Sequence, residues 1–147
     1  METFFEIADS GDYVRVEALE FAHYDAELDW DKNWLKSKVI VKAGSFSGEY
    51  NAEFMTTDFA RFKKDFSALY DNLSGGAMFN DVERYLELRI IGDGNGHFKM
   101  NVIANDMPGI YGSQLTFEID FDQTYINNIV RQLNKITDAF PVVGKLT

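Results

Sequence analysis

The sequence predicts a single α+β domain over residues 1–147, a mostly antiparallel sheet of about seven strands with two amphipathic helices on one face. Three observations predict it. Seven short runs alternate apolar and polar residues, the period of a half-buried strand. Turns rich in glycine separate neighbouring runs, so the strands pair as hairpins. Two longer segments instead repeat apolar residues at helical spacing, between recognisable caps and stops.

The strands fall at 3–8, 13–21, 35–43, 46–55, 85–91, 98–104 and 115–121. Gly44-Ser45 and the run Gly92-Asp93-Gly94-Asn95-Gly96 supply the positive φ that tight hairpins need. The first helix carries Phe59, Phe62, Phe66, Leu69, Tyr70 and Leu73 on one stripe, with Thr56 or Thr57 as N-cap and Gly75-Gly76 as the stop. The second carries Ile126, Ile129, Val130, Leu133, Ile136 and Phe140, capped by Asp122 and ended by Pro141. A faint repeat of about 66 residues relates the two halves, each a strand, a turn, a strand and a capped helix. It implies two similar halves that place both helices on one face of a shared sheet. The opposite face is wet, because Lys36, Lys38 and Lys42 alternate with apolar residues, as do Glu49 and Glu53, or Glu118 and Asp120. The longest stretch without periodicity is 22–33, and long loops are often functional.

Composition bounds the rest. A chain of 147 residues, 46% hydrophobic with 13 Phe, can bury a substantial core. It has no cysteine, hence neither disulfides nor thiolate zinc sites. Nothing resembles a signal peptide or a bilayer-spanning run, so a cytoplasmic location is expected. The net charge of −10 is lopsided: the first 31 residues hold ten acids and one base, Arg15, leaving −1 for the remainder. Such a field repels nucleic acid and membrane phosphate and attracts a basic partner over roughly 10 Å. An acidic surface also simply keeps a protein soluble.

Motifs for chemistry fail one by one. Asp25, Glu27, Asp29 and Asp31 have the spacing of a calcium loop, but Trp30 stands where such a loop needs glycine and Lys36 where it needs a bidentate glutamate. The Gly92-Gly94-Gly96 run leads into a strand, not into the helix that would hold a phosphate. Only His23 and His97 could serve as neutral-pH acid–base groups, and both fit ordinary surface roles better. Lys36, Lys38 and Lys42 make a short basic stripe without interleaved aromatics, and Lys63-Lys64 lies on a helix exterior, so nucleic-acid binding is not expected. No cofactor is implied. Trp30 and Trp34 are weighed separately: burial of both is favoured, while an exposed indole among charges has the composition of an interface anchor.

Several local pieces, in their order, resemble the WapI-type immunity proteins of bacterial polymorphic toxin systems. These are Asn33-Trp34-Leu35 entering a strand, Gly44-Ser45-Phe46-Ser47-Gly48 at the next hairpin, Gly92 with Gly96-His97, and Asp122-Gln123-Thr124-Tyr125 opening the last helix. The likeness runs from Val14 to Ile136. It implies a non-enzymatic cytoplasmic inhibitor that binds the C-terminal catalytic domain of a toxin, in the founding case a nuclease acting on tRNA. An acidic inhibitor suits a basic toxin domain. Asp25, Glu27, Asp29, Trp30 and Asp31 are the expected toxin-binding residues, with the wet sheet face as a second candidate surface. Two readings from other classes stand beside it. One is a small-ligand or carbohydrate-binding module using Trp30, or Tyr111 in the loop 105–112; the other is a hydrolase with Asp29 and Asp31 as an acid–base pair. Oligomeric state is not legible in the sequence.

Overall fold

The structure, a computed structural model describing residues 3–144, repeats one motif twice: four antiparallel strands in a meander, then a helix. The first half comprises β1 (Thr3–Asp9), β2 (Asp12–Phe21), a single helical turn α1 (Asp29–Lys32), β3 (Trp34–Ala43), β4 (Phe46–Met55) and α2 (Thr56–Asn72). The second comprises β5 (Ser74–Asn80), β6 (Leu86–Asp93), β7 (His97–Asn105), β8 (Gln114–Asp122), a 3-10 turn (Gln123–Tyr125) and α3 (Ile126–Ala139).

The shared sheet expected from the sequence is instead two sheets of four strands, β1-β2-β3-β4 and β5-β6-β7-β8. Each has one apolar face, and both faces contribute to a single core. The strand absent from the sequence reading is β5. Gly75 and Gly76 lie at its start, while α2 stops earlier, at Leu73, whose left-handed φ of 60° and N–H to the Leu69 carbonyl close the helix. The repeat is therefore deeper than the two-strand version expected. The helices do pack together, and each also reaches the other half: α2 lies on β5 and α3 on β1. There Gln132 Oε1 accepts the outward N–H of Glu6 at 2.9 Å, occupying a backbone donor on the edge strand.

Phe79 of β5 is the centre of the core. Its ring meets Phe5, Phe54, Phe59 and Phe62 at centroid distances of 5.8, 5.1, 5.6 and 5.5 Å, joining β1, β4 and α2 to the second sheet. Caps differ in detail from expectation. The Asp122 carboxylate accepts the Thr124 N–H at 2.9 Å and so caps the 3-10 turn that leads into α3, whose own N-cap position is Tyr125. At α2, neither Thr56 nor Thr57 is the N-cap: that position is Met55, and the Asp58 carboxylate reaches back to its N–H at 2.9 Å.

Candidate functional site

The segment after β2 is closed at its base by the Ala22 N–H on the Trp34 carbonyl, 2.8 Å. Asn33, fully buried, fixes its inner side. Its Nδ2 donates to the carbonyls of Asp29 at 2.7 Å and Val143 at 3.0 Å, while its Oδ1 accepts the Val143 N–H at 2.8 Å and the Thr56 hydroxyl. One side chain thus ties α1, the start of α2 and the C-terminal tail together. Because Asn33 takes the inward position, the turn before it faces outward and α1 buries none of its residues.

Asp25, Glu27, Asp29 and Trp30 are exposed and Asp31 is half-buried, so the structure places all five expected residues on one surface loop. Trp34 is half-buried but Trp30 is 48% exposed, so the favoured burial of both indoles does not hold. Asp29 pairs loosely with Lys32 at 3.9 Å. Asp29 and Asp31 stand two residues apart on a helical turn, where neighbours do not face each other, which weakens the acid–base pair reading.

Beside Trp30 opens a cleft of about 380 Å³, lined by Met55, Thr57, Asp58, Arg61, Asn80, Asp81 and Val82. Its floor holds two buried carboxylates from different halves of the chain. Asp58 accepts from the Met55 N–H and, at 3.1 Å, from Arg61 Nη2, which also donates to the Asn80 carbonyl at 3.1 Å. Asp81 accepts the N–H groups of Tyr85 at 3.0 Å and Leu86 at 3.1 Å. Burial pushes the Asp58 carboxyl up to about 6 against the opposing pull of the Met55 N–H and Arg61, with Asp81 adding to the rise. Burial likewise raises Asp81. The sequence reading missed this pair. Asp58, two residues after Thr56, had the spacing of a helix-start acid, and Asp81 that of an Asx turn ahead of a strand.

The N-terminal excess of acid does not form one patch. Glu17 and Glu20 lie on the outer face of the first sheet, paired with Arg15 at 2.8 Å and Lys36 at 3.5 Å. The Lys36 and Lys38 part of the basic stripe is correspondingly flanked by acids: Lys36 registers with Glu20 and Glu53, Lys38 with Glu17. A second acidic region lies where Asp9 meets Asp93, Asp120 and Asp122, in a cleft that also contains His97 and Lys99. There Asp93 is held below the usual range chiefly by the Asn95 N–H, and Asp122 by the Thr124 hydroxyl. At the far end of the second sheet, Tyr111 is 89% exposed on the β7–β8 loop. Among the described residues no helix is long and apolar enough to cross a membrane.

Comparison with solved structures gives the class of fold. The Trypanosoma brucei MRP1/MRP2 proteins match over 95% of this chain and 86% of theirs at 11% identity and a TM-score of 0.53. A guide-RNA-binding protein complex bound to a guide RNA matches at 12% identity and 0.52, covering 94% and 91%. WHY1 from Arabidopsis thaliana matches at 13% and 0.51, covering 98% and 86%. At such identities the likeness is one of fold alone. No curated protein matches the chain in sequence. The family described as "Immunity protein WapI-like family" matches residues 4–141, and the chain belongs to it. Its role is accordingly that of an immunity protein.

Proposed function

We propose that this protein neutralises a cognate bacterial toxin by stoichiometric binding to the toxin's C-terminal catalytic domain, using the loop of Asp25, Glu27, Asp29, Trp30 and Asp31. Membership of the family supports a toxin partner. The observation that carries the choice of surface is Trp30, half exposed among the carboxylates of Asp25, Glu27, Asp29 and Asp31, against which Lys32 is held only loosely, 3.9 Å from Asp29. A rigid aromatic anchor ringed by charge is the composition of a binding hot spot. The toxin domain is basic in this reading, and a nuclease acting on tRNA would be so, because it must hold phosphate. The acidic inhibitor then occupies the cationic surface as a polyanion and associates quickly under electrostatic steering.

The same charge argues against carrying RNA binding over from the guide-RNA complex. A net charge of −10 repels phosphate, whatever the backbone resembles. The protein would act in the cytoplasm of the cell it protects, without turnover and without a cofactor.

Co-expression with the toxin C-terminal domain encoded beside the gene, then gel filtration and a tRNA cleavage assay at rising inhibitor ratios, tests the proposal. Co-elution with cleavage abolished near equimolar ratio is the expected result. Absence of a complex with undiminished cleavage would reject that pairing and favour a ligand-binding role, for which Trp30 fluorescence against a glycan panel is the next measurement.

A further inference from the structure

We infer that the cleft between Trp30 and Val82 is a receptor for one cationic side chain, a lysine or arginine presented by the toxin domain. The inference rests on the immunity reading for the identity of the partner, and on the cleft itself for the chemistry. Two carboxylates, Asp58 and Asp81, line the cleft against one cation, Arg61. Arg61 is committed: its Nη2 is shared between Asp58 Oδ1 and the Asn80 carbonyl, both at 3.1 Å. The cleft therefore carries a net negative charge, reinforced by Glu83, whose charge bears on Asp81.

Negative charge alone would attract any cation, and the walls narrow the choice. The indole of Trp30 and the side chain of Val82, 64% exposed, stand on the rim, with Met55 deeper. A long aliphatic stem ending in a cation matches this order: its methylenes lie against Val82 and Met55 and its head reaches the carboxylates under the indole. A free metal ion would gain nothing from those walls. The two carboxylates also come from separate halves of the chain, so the receptor exists only in the folded domain.

The test has two arms. In the first, isotope-labelled protein is titrated with N-acetyl-arginine amide and, separately, with the neutral isostere N-acetyl-citrulline amide, reading the indole N–H signals of Trp30 and Trp34. The expected result is a saturable shift of Trp30 with the arginine probe only, weakened by salt, with Trp34 unmoved. In the second, Val82→Lys places the protein's own ammonium over the cleft, with Ile110→Lys on the β7–β8 loop as the charge-matched control; both sites are exposed, at 64% and 91%, so melting temperature should not move. Val82→Lys should weaken binding of the toxin domain about tenfold while Ile110→Lys leaves it unchanged. Equal shifts from both probes, or no shift of Trp30, overturn the inference. So does a Val82→Lys protein that binds the toxin as tightly as wild type, although immunity by binding then stands. If wild-type protein forms no toxin complex, the immunity reading fails and takes the partner with it, whereas the first arm still decides whether the cleft selects a cation.

Discussion

Asn33 is fully buried without being apolar, and its four side-chain hydrogen bonds explain how. Removing them strands the buried Thr56 hydroxyl and leaves the half-buried Val143 N–H without its partner, and a buried unpaired group costs about 1–3 kcal/mol. Asn33→Ala is expected to lower unfolding free energy by about 3 kcal/mol in urea titrations and to loosen the loop that holds Trp30. Asp58 and Asp81 give the residue scale a second test. Their carboxyls are raised, so the folded state binds protons more tightly than the unfolded one; the stabilisation is present below about pH 4, and that of Asp58 is lost as pH rises through about 6, with Asp81 acting in the same direction. Asp93 and Asp122 are depressed and act oppositely, stabilising above about pH 4 and losing that contribution in stronger acid. The melting temperature should therefore peak in mild acid and fall toward neutrality, and Asp58→Asn should make that fall shallower. A melting temperature that rises from pH 5 to 7 would contradict this. Neither carboxylate was legible as buried from the sequence, because an aspartate at a helix start or a turn reads as a surface cap until tertiary packing covers it.

At the scale of elements, turn and cap chemistry located most strands and both long helices, since alternation and 3.6-residue spacing are local signals. β5 escaped for a physical reason. Its first residues, Ser74-Gly75-Gly76, have the composition of a helix stop, and only Ala77 and Phe79 of the strand point inward, too few to show a period. Without β5 the two halves look like contributors to one sheet; with it, each is a complete meander. Phe79→Ala is expected to cost about 3–5 kcal/mol, since it empties the point where β1, β4, β5 and α2 meet. Chemical denaturation reads this directly, and a loss near that of a surface substitution would refute the central place given to Phe79. Gly92 is a sharper probe of the junction between α2 and the second sheet. A Cβ there would stand 2.6 Å from the Leu73 carbonyl oxygen and 2.7 Å from Phe98, so Gly92→Ala must displace backbone and should destabilise measurably in the same assay.

At the scale of the whole molecule, the fold is shared with a guide-RNA-binding protein complex at 12% identity, and a basic protein partner in place of RNA is proposed on the net charge of −10. The acidic excess of the N-terminal segment was legible in the sequence. Its division was only partly so: Arg15 and Glu17 share a face of β2 by simple alternation, but Glu20 meets Lys36 only once β2 and β3 pair. Two acidic regions remain: the loop around Trp30, where the expected residues were already gathered by adjacency and Lys32 pairs only loosely with Asp29, and the Asp9 region, whose cleft also holds Lys99. Reversing Asp9 and Asp12 should leave toxin binding unchanged if the Trp30 loop is the interface.

The most direct measurement is the affinity for the toxin domain at low and high salt, for wild type and for a variant combining Asp25→Lys, Glu27→Lys, Asp29→Lys and Asp31→Lys. The expected result is tight, salt-sensitive binding by wild type, and binding by the folded variant at least about tenfold weaker with little salt dependence. Equal affinity and equal salt dependence in the two proteins would contradict the account and move the interface elsewhere.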